Sequence, residues 1–174
     1  RKDQPFFAVF NPTGTHESGM WEKEDSQPVK TDPTAIKLPP YLPDTPKSRR
    51  ALARHYDNLE VSDQIVGNLL QQLDEDGLTD NTIVMIWSDH GEGLPRAKRW
   101  PYDAGIRIPL IVRYPRSLEP GSVNEQLVSL IDLGPTVLSL AGIPLPTHMH
   151  GQPFLGSHKV ERQYAYATRD RYDE

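Results

Sequence analysis

Apolar residues are arranged along this chain in two ways, and each predicts a different element. Unbroken runs come first. Phe6-Phe7-Ala8-Val9-Phe10, closed by Asn11-Pro12, reads as a buried strand ending in a loop. Thr82 to Trp87 is β-branched and wholly apolar, as a strand covered on both faces would be. Pro109 to Tyr114 predicts another strand and Gln163 to Thr168 a last one. The second arrangement is helical. Leu52, Tyr56, Leu59, Val66, Leu70 and Leu73 recur at spacings of three, four and seven and form one stripe, on which Asp63 also falls. Thr45 is placed to cap that helix, Pro46 suits its first position and Gly77 its exit. Pro135 to Ala141, followed by Gly142 and Pro144, predicts a short helix.

Between Asn11 and Pro43 no period holds. The segment is rich in Pro, Thr, Glu and Lys and predicts a long loop, residues 11–43, of the kind that serves function or moves. Helices alternating with buried strands give an α/β architecture with a largely parallel sheet in one domain. Seventeen prolines and twelve glycines fit many loops between apolar segments and do not describe a disordered chain. A formal charge of -5 argues against a nucleic-acid partner, which requires a basic face. No apolar run approaches the roughly 20 residues of a membrane span. Zero cysteines exclude disulfides and thiolate chemistry within these residues. The first residue, Arg1, and the charged run ending at Glu174 both read as cuts within a longer protein.

Candidate chemistry gathers at predicted strand ends. Ser88-Asp89-His90-Gly91 follows directly on the strand at Thr82 to Trp87, and ligands of open α/β sheets bind at the carboxyl ends of strands. Asp89 and His90 offer a cation an oxygen and an imidazole, or else a helix cap beside a solvated histidine. Lys98 lies nine residues past the acid and can return over the same strand end, or belong to a solvated cluster with Arg96 and Arg99. An acid holding a cation beside a lysine holding an anion would polarise a sulfate or phosphate ester. His16, past the first strand, is a loop histidine that could meet this group. His148-Met149-His150 reads as a loop edge, and Arg169-Asp170-Arg171 as a contact for an acidic sugar or a solvated chain end.

Taken together, Phe6 to His16, Ser88-Asp89-His90-Gly91, the run Lys98-x-x-x-Tyr102-x-x-Gly105-x-Arg107-Ile108-Pro109 and Leu127 to Thr136 resemble, in order, the C-terminal half of the type I sulfatases. Leu38 to Pro46 is similar to the heparan N-sulfatase-like branch, although His90 and Lys98 differ from the heparan N-sulfatases proper. The resemblance implies a three-layer alkaline-phosphatase-like fold, present as a partial domain over residues 1–174, the C-terminal half of a sulfatase catalytic domain. It implies Asp89 and His90 as ligands of a divalent metal, Ca²⁺ before Mg²⁺. It implies His16 and Lys98 as the residues that bind the sulfate and leaving-group oxygen, one supplying a proton. Apart from the resemblance, Arg169 stays a candidate substrate contact, with a solvated chain end as the alternative. The nucleophile of that family, a formylglycine made within Cys/Ser-x-Pro-x-Arg, has no counterpart among these residues and is expected outside this chain.

The function expected of the whole protein is hydrolysis of sulfate esters or sulfamates on a sulfated carbohydrate. A phosphodiesterase or phosphonate monoester hydrolase of the same superfamily, and an inactive fragment or anion-binding pseudo-enzyme, are the alternatives. An exposed sheet edge would favour self-association of the fragment. Export to the periplasm or beyond the cell follows from the resemblance alone.

Overall fold

A computed structural model describes residues 4–21 and 27–170. The elements are α1 (Ser18–Trp21), α2 (Pro46–Glu75), β1 (Val84–Trp87), α3 (Asp103–Ile106), β2 (Leu110–Arg113) and α4 (Leu133–Leu140), with short 3₁₀ turns at Pro33–Ala35, Thr79–Asn81 and Leu130–Asp132.

The long helix α2 begins and ends as its sequence dictates. Thr45 has extended backbone and its Oγ1 accepts from the Ser48 amide at 3.1 Å, with Pro46 at the first turn. Gly77 leaves the helix at φ 68°. The N-terminal part of its stripe enters the core, and Val66, Leu70 and Leu73 further along are half-buried. Leu52 and Ala53 are buried against Met20, Ile36 and Leu94, with Val29, Leu38 and Leu42 packed around them. Arg54 is buried too and donates to the carbonyls of Gln27 and Pro28. Tyr56 and Leu59 stay exposed, and so does Asp63.

The α/β class holds, and the two central strands form where expected. They pair with each other antiparallel, Val84 opposite Arg113 and Trp87 opposite Leu110, and this is the strand ladder among the described residues. β1 is half-buried rather than covered on both faces. Phe6 to Phe10 and Gln163 to Thr168, expected as strands, are not: Phe7 is 73% and Tyr166 87% exposed. A strand exists only where a neighbour accepts and donates along it, and the described residues give these two runs none. The predicted loop at 11–43 is irregular apart from α1 and one 3₁₀ turn, with 22–26 outside the described residues.

A second packed region surrounds α4. Ser129 and Asp132 cap the turn reciprocally, and Thr136, Ser139 and Phe154 are buried behind it. Asp132 accepts from the Ser129 amide at 2.8 Å, the Gln152 amide at 2.7 Å and the Arg162 guanidinium at Nε (2.9 Å) and Nη2. These bonds fasten the segment after α4 to its helix.

Candidate active site

The chain from Ser88 to Ile108, between β1 and β2, is an ordered loop closed on itself. The Gly91 amide donates to the Gly105 carbonyl and the Lys98 amide to the Glu92 carbonyl, both at 3.0 Å. Glycine is required at two of its contacts. A Cβ on Gly91 would lie 1.8 Å from the Ala104 oxygen, and one on Gly105 would lie 2.1 Å from the Trp100 oxygen. Leu94 and Ala97 anchor the loop, the former in the α2 core. Gly93 packs against Glu17 so closely that a Cβ would meet the Glu17 Cβ at 2.3 Å. The His16 segment and the Lys98 loop are thereby one body.

At their junction Lys98 Nζ stands 3.4 Å from His16 Nε2 and 3.0 Å from Glu17 Oε2, while Arg99 Nη2 donates to Glu17 Oε1 at 2.7 Å. Glu17 and Lys98 side chains are 15% and 17% exposed. Burial raises the Glu17 carboxyl, but the bonds and charges of Lys98 and Arg99 outweigh it and hold the group below the usual carboxylate range.

His16 has two sets of neighbours, each suited to a different tautomer. Lysine only donates, so its contact needs a bare Nε2 and puts the ring proton on Nδ1, where Ser18 Oγ lies at 2.9 Å. The Ser18 amide, 3.3 Å from the same Nδ1, favours the opposite arrangement, with the proton on Nε2. The imidazole is built to hold a proton on either nitrogen.

Asp89 and His90 sit at the carboxyl end of β1. His90 Nδ1 is 2.7 Å from the Gly91 carbonyl, which can only accept, so that nitrogen carries a proton. Nε2 then faces Asp89 Oδ2 at 3.5 Å. With the ring neutral, two lone-pair donors confront each other with no proton between them, a pair that fits a cation. The fixing of a ligand histidine's tautomer by a backbone carbonyl is a recurrent support of metal sites. Asp89 is 80% exposed, and neither residue bonds His16 or Lys98. No group of three or more His, Cys, Asp or Glu side chains gathers as a cation site among the described residues. Asp89 and His90 thus fit as part of a donor set.

Sequence patterns singled out His16, Asp89, His90, Lys98 and Arg169. The structure joins His16 to Lys98, joins Asp89 to His90, and lays Arg169 over the Trp100 ring at 3.9 Å. Arg171 lies outside the described residues. His148 and His150 are exposed, on a loop edge. Glu17 was missed. Its only signal was an acid beside His16, whereas the two cations it pairs, Lys98 and Arg99, lie 81 and 82 residues away. The row of rings and guanidiniums beside Lys98 was missed as well.

A lysine set against an imidazole, on a loop that opens with a carboxylate and a second imidazole at a strand end, supplies the kinds of group that a sulfuryl or phosphoryl ester would call for. The chain belongs to the sulfatase family, whose model matches residues 1–143. It is 39% identical to an ulvan-active sulfatase of Formosa agariphila over 98% of this chain and 35% of the relative. It is 37% identical to the human N-sulphoglucosamine sulphohydrolase over 83% of this chain and 29% of the relative, as the heparan N-sulfatase-like resemblance implies. A solved structure of a protein in complex with its substrate D-glucosamine-2-N,6-O-disulfate superposes with a TM-score of 0.61 at 28% identity, covering 74% of this chain and 28% of that one. The fold is accordingly the alkaline-phosphatase-like α/β fold, of which this chain is a part. It spans about a third of the length of the curated relatives it matches.

Proposed function

We propose that the whole protein hydrolyses sulfate esters or sulfamates of a sulfated glycan, and that residues 1–174 are the C-terminal half of its catalytic domain. The observation that carries this reading is the Lys98–His16 contact at 3.4 Å, held by Glu17. Lys98 binds the sulfuryl oxygens as a point charge. With Lys98 turned from Nε2 to the sulfuryl oxygens, His16 holds a proton on Nε2, gives it to the leaving-group oxygen and recovers one from water through the same nitrogen. Glu17 is a positioning residue, tying Lys98 and Arg99 to the His16 segment. Asp89 and His90 would hold a divalent cation together with acidic residues elsewhere in the protein. Ca²⁺ is favoured by the carboxylate and Mg²⁺ is the alternative, and the cation's chemistry there is Lewis-acid polarisation of the ester.

The carbohydrate class is supported by the names of the relatives, among them sulfatases acting on ulvan and on sulphated glucosamine. The formylglycine nucleophile belongs to the rest of the protein, because these 174 residues contain no Cys/Ser-x-Pro-x-Arg motif. By themselves they therefore turn over no sulfate ester. The apolar runs at Phe6–Phe10 and Tyr164–Tyr166, together with the free edges of β1 and β2, make the isolated chain self-associate. A monomeric light-scattering profile would refute that.

The deciding experiment compares the whole gene product on matched aryl sulfate and aryl phosphate. Preference for sulfate, lost in Lys98→Ala, supports the assignment. Preference for phosphate transfers it to the phosphodiesterase and phosphonate hydrolase class. Inactivity on both, in folded protein carrying its cation and nucleophile, leaves an anion-binding pseudo-enzyme.

A further inference from the structure

The loop bearing Lys98 contains two arginines in left-handed backbone, Arg96 at φ 68° and Arg99 at φ 72°. That conformation is unfavourable for a residue with a side chain. At Arg99 the ion pair with Glu17 offsets the cost. Arg96 has no such partner. Among the described residues its guanidinium makes two ring contacts, 4.7 Å from the Tyr102 centroid and 5.6 Å from that of Tyr41, and no hydrogen bond or ion pair. The row continues from Tyr102 to Trp100, with centroids 6.0 Å apart and planes at 21°, and from Trp100 to the Arg169 guanidinium at 3.9 Å. Tyr41, Arg96, Tyr102, Trp100 and Arg169 form one stack assembled from three segments remote in sequence.

Stacking occupies the face of a guanidinium and leaves its N–H donors around the edge. Lys98 and Arg99 share the Glu17 carboxylate, but among the described residues no carboxylate forms an ion pair with Arg96, which is exposed two residues from Lys98. An oriented, un-neutralised fork beside an anion-binding lysine is suited to bidentate recognition of another anion. We propose that Arg96 binds a second anionic group, carboxylate or sulfate, on the sugar chain whose scissile sulfate lies at Lys98 and His16. The inference rests on the sulfated-glycan reading of the same site. It makes Arg96 a residue that selects polyanionic over singly charged glycans.

The test is calorimetric binding to the whole gene product, with no turnover required. The probes are a sulfated, uronate-containing disaccharide, its carboxyl-reduced form, and its form lacking the second sulfate. Wild type should bind the parent about tenfold more tightly than one of the two reduced probes, and which probe suffers identifies the anion. Arg96→Gln, shown folded by its melting curve, should lose that preference. Arg96→Lys, which keeps charge without the fork, should recover only part of it. Equal affinity of wild type for all three probes, or a preference that survives in Arg96→Gln, overturns the proposal. Inactivity of wild type on aryl sulfate would instead sink the catalytic reading and leave the binding result standing.

Discussion

Two carboxylates in this chain are each shared among cationic and N–H donors, yet their surroundings differ. Asp132 is 1% exposed, and its oxygens accept from two backbone amides and two guanidinium nitrogens of Arg162. Glu17 is 15% exposed, accepts from Arg99 and forms an ion pair with Lys98, and that lysine also reaches His16. A saturated carboxylate with a wholly engaged cation can only hold a structure together. A carboxylate that leaves its lysine facing an imidazole at the surface keeps charge available for a ligand. The difference is one of unused bonding capacity, since both are carboxylate–cation pairs.

The largest effect should come from the saturated site. Asp132→Ala leaves the Arg162 guanidinium and two amides without their acceptor in a buried place, a loss of about 3–5 kcal/mol. Urea unfolding of the whole protein measures it. A loss below about 1 kcal/mol would mean that α4 and the segment after it are fastened by apolar packing alone. Lys98→Ala should show the complementary behaviour. We expect kcat/KM on aryl sulfate to fall about 100- to 1,000-fold with little change in melting temperature. If stability fell as much as activity, Lys98 would be a strut like Arg162 and the contrast between the sites would dissolve.

How much of this was legible in the sequence follows from the range of the interactions. Thr45, Pro46 and Gly77 marked the ends of α2 because caps act over a few residues. The β1 and β2 runs were legible because burial demands apolar composition. Phe6 to Phe10 carries the same signal without forming a strand here, since pairing depends on a neighbour that composition does not record. Asp89 was marked by its place at a strand end, whereas Lys98 drew its weight from the family resemblance, because its spacing fitted a solvated basic cluster as well. Glu17, Tyr41 and Arg96 did not stand out, because each gains its meaning from a residue remote in sequence or from a left-handed backbone that no pattern announces. The Asp132–Arg162 pair had half a signal, the Ser129-x-x-Asp132 spacing of a capping box, and its other half lay 30 residues on.

Acid should separate the two regions by degree. Burial raises the Asp132 carboxyl, yet Arg162 and the amides of Gln152 and Ser129 hold it below its ordinary value. Glu17 is lowered in the same sense by Lys98 and Arg99. A carboxyl lowered in the folded state stabilises above its unfolded value, about 4, and that contribution disappears as pH falls through the folded value. Melting temperature should therefore drop below about pH 4. Asp132→Asn, which has nothing to titrate there, should flatten the drop more than Glu17→Gln does. The reverse order would make the exposed site the stronger electrostatic clamp.

The smallest effect tests the helix face beneath the His16 segment. Among the described residues, His55, Asn58 and Ser62 of α2 carry buried polar atoms with no hydrogen-bond partner, and Asn58 and Ser62 approach the backbone at Gly19 and Gly14. Burial lowers the His55 imidazole, against a smaller opposing pull from Glu92. A histidine lowered on folding stays neutral in the folded state while the unfolded chain binds protons. Its stabilisation is complete above the unfolded value, about 6.5, and declines as pH falls from there to the folded value. The slope is at most about 1.4 kcal/mol per pH unit for one proton. Melting curves between pH 7 and 5 should show this shallow loss, and His55→Gln should remove it without touching the steeper fall near pH 4. An unchanged slope in that variant would place the titrating group elsewhere, and the floor under His16 would then be insensitive to protonation at His55.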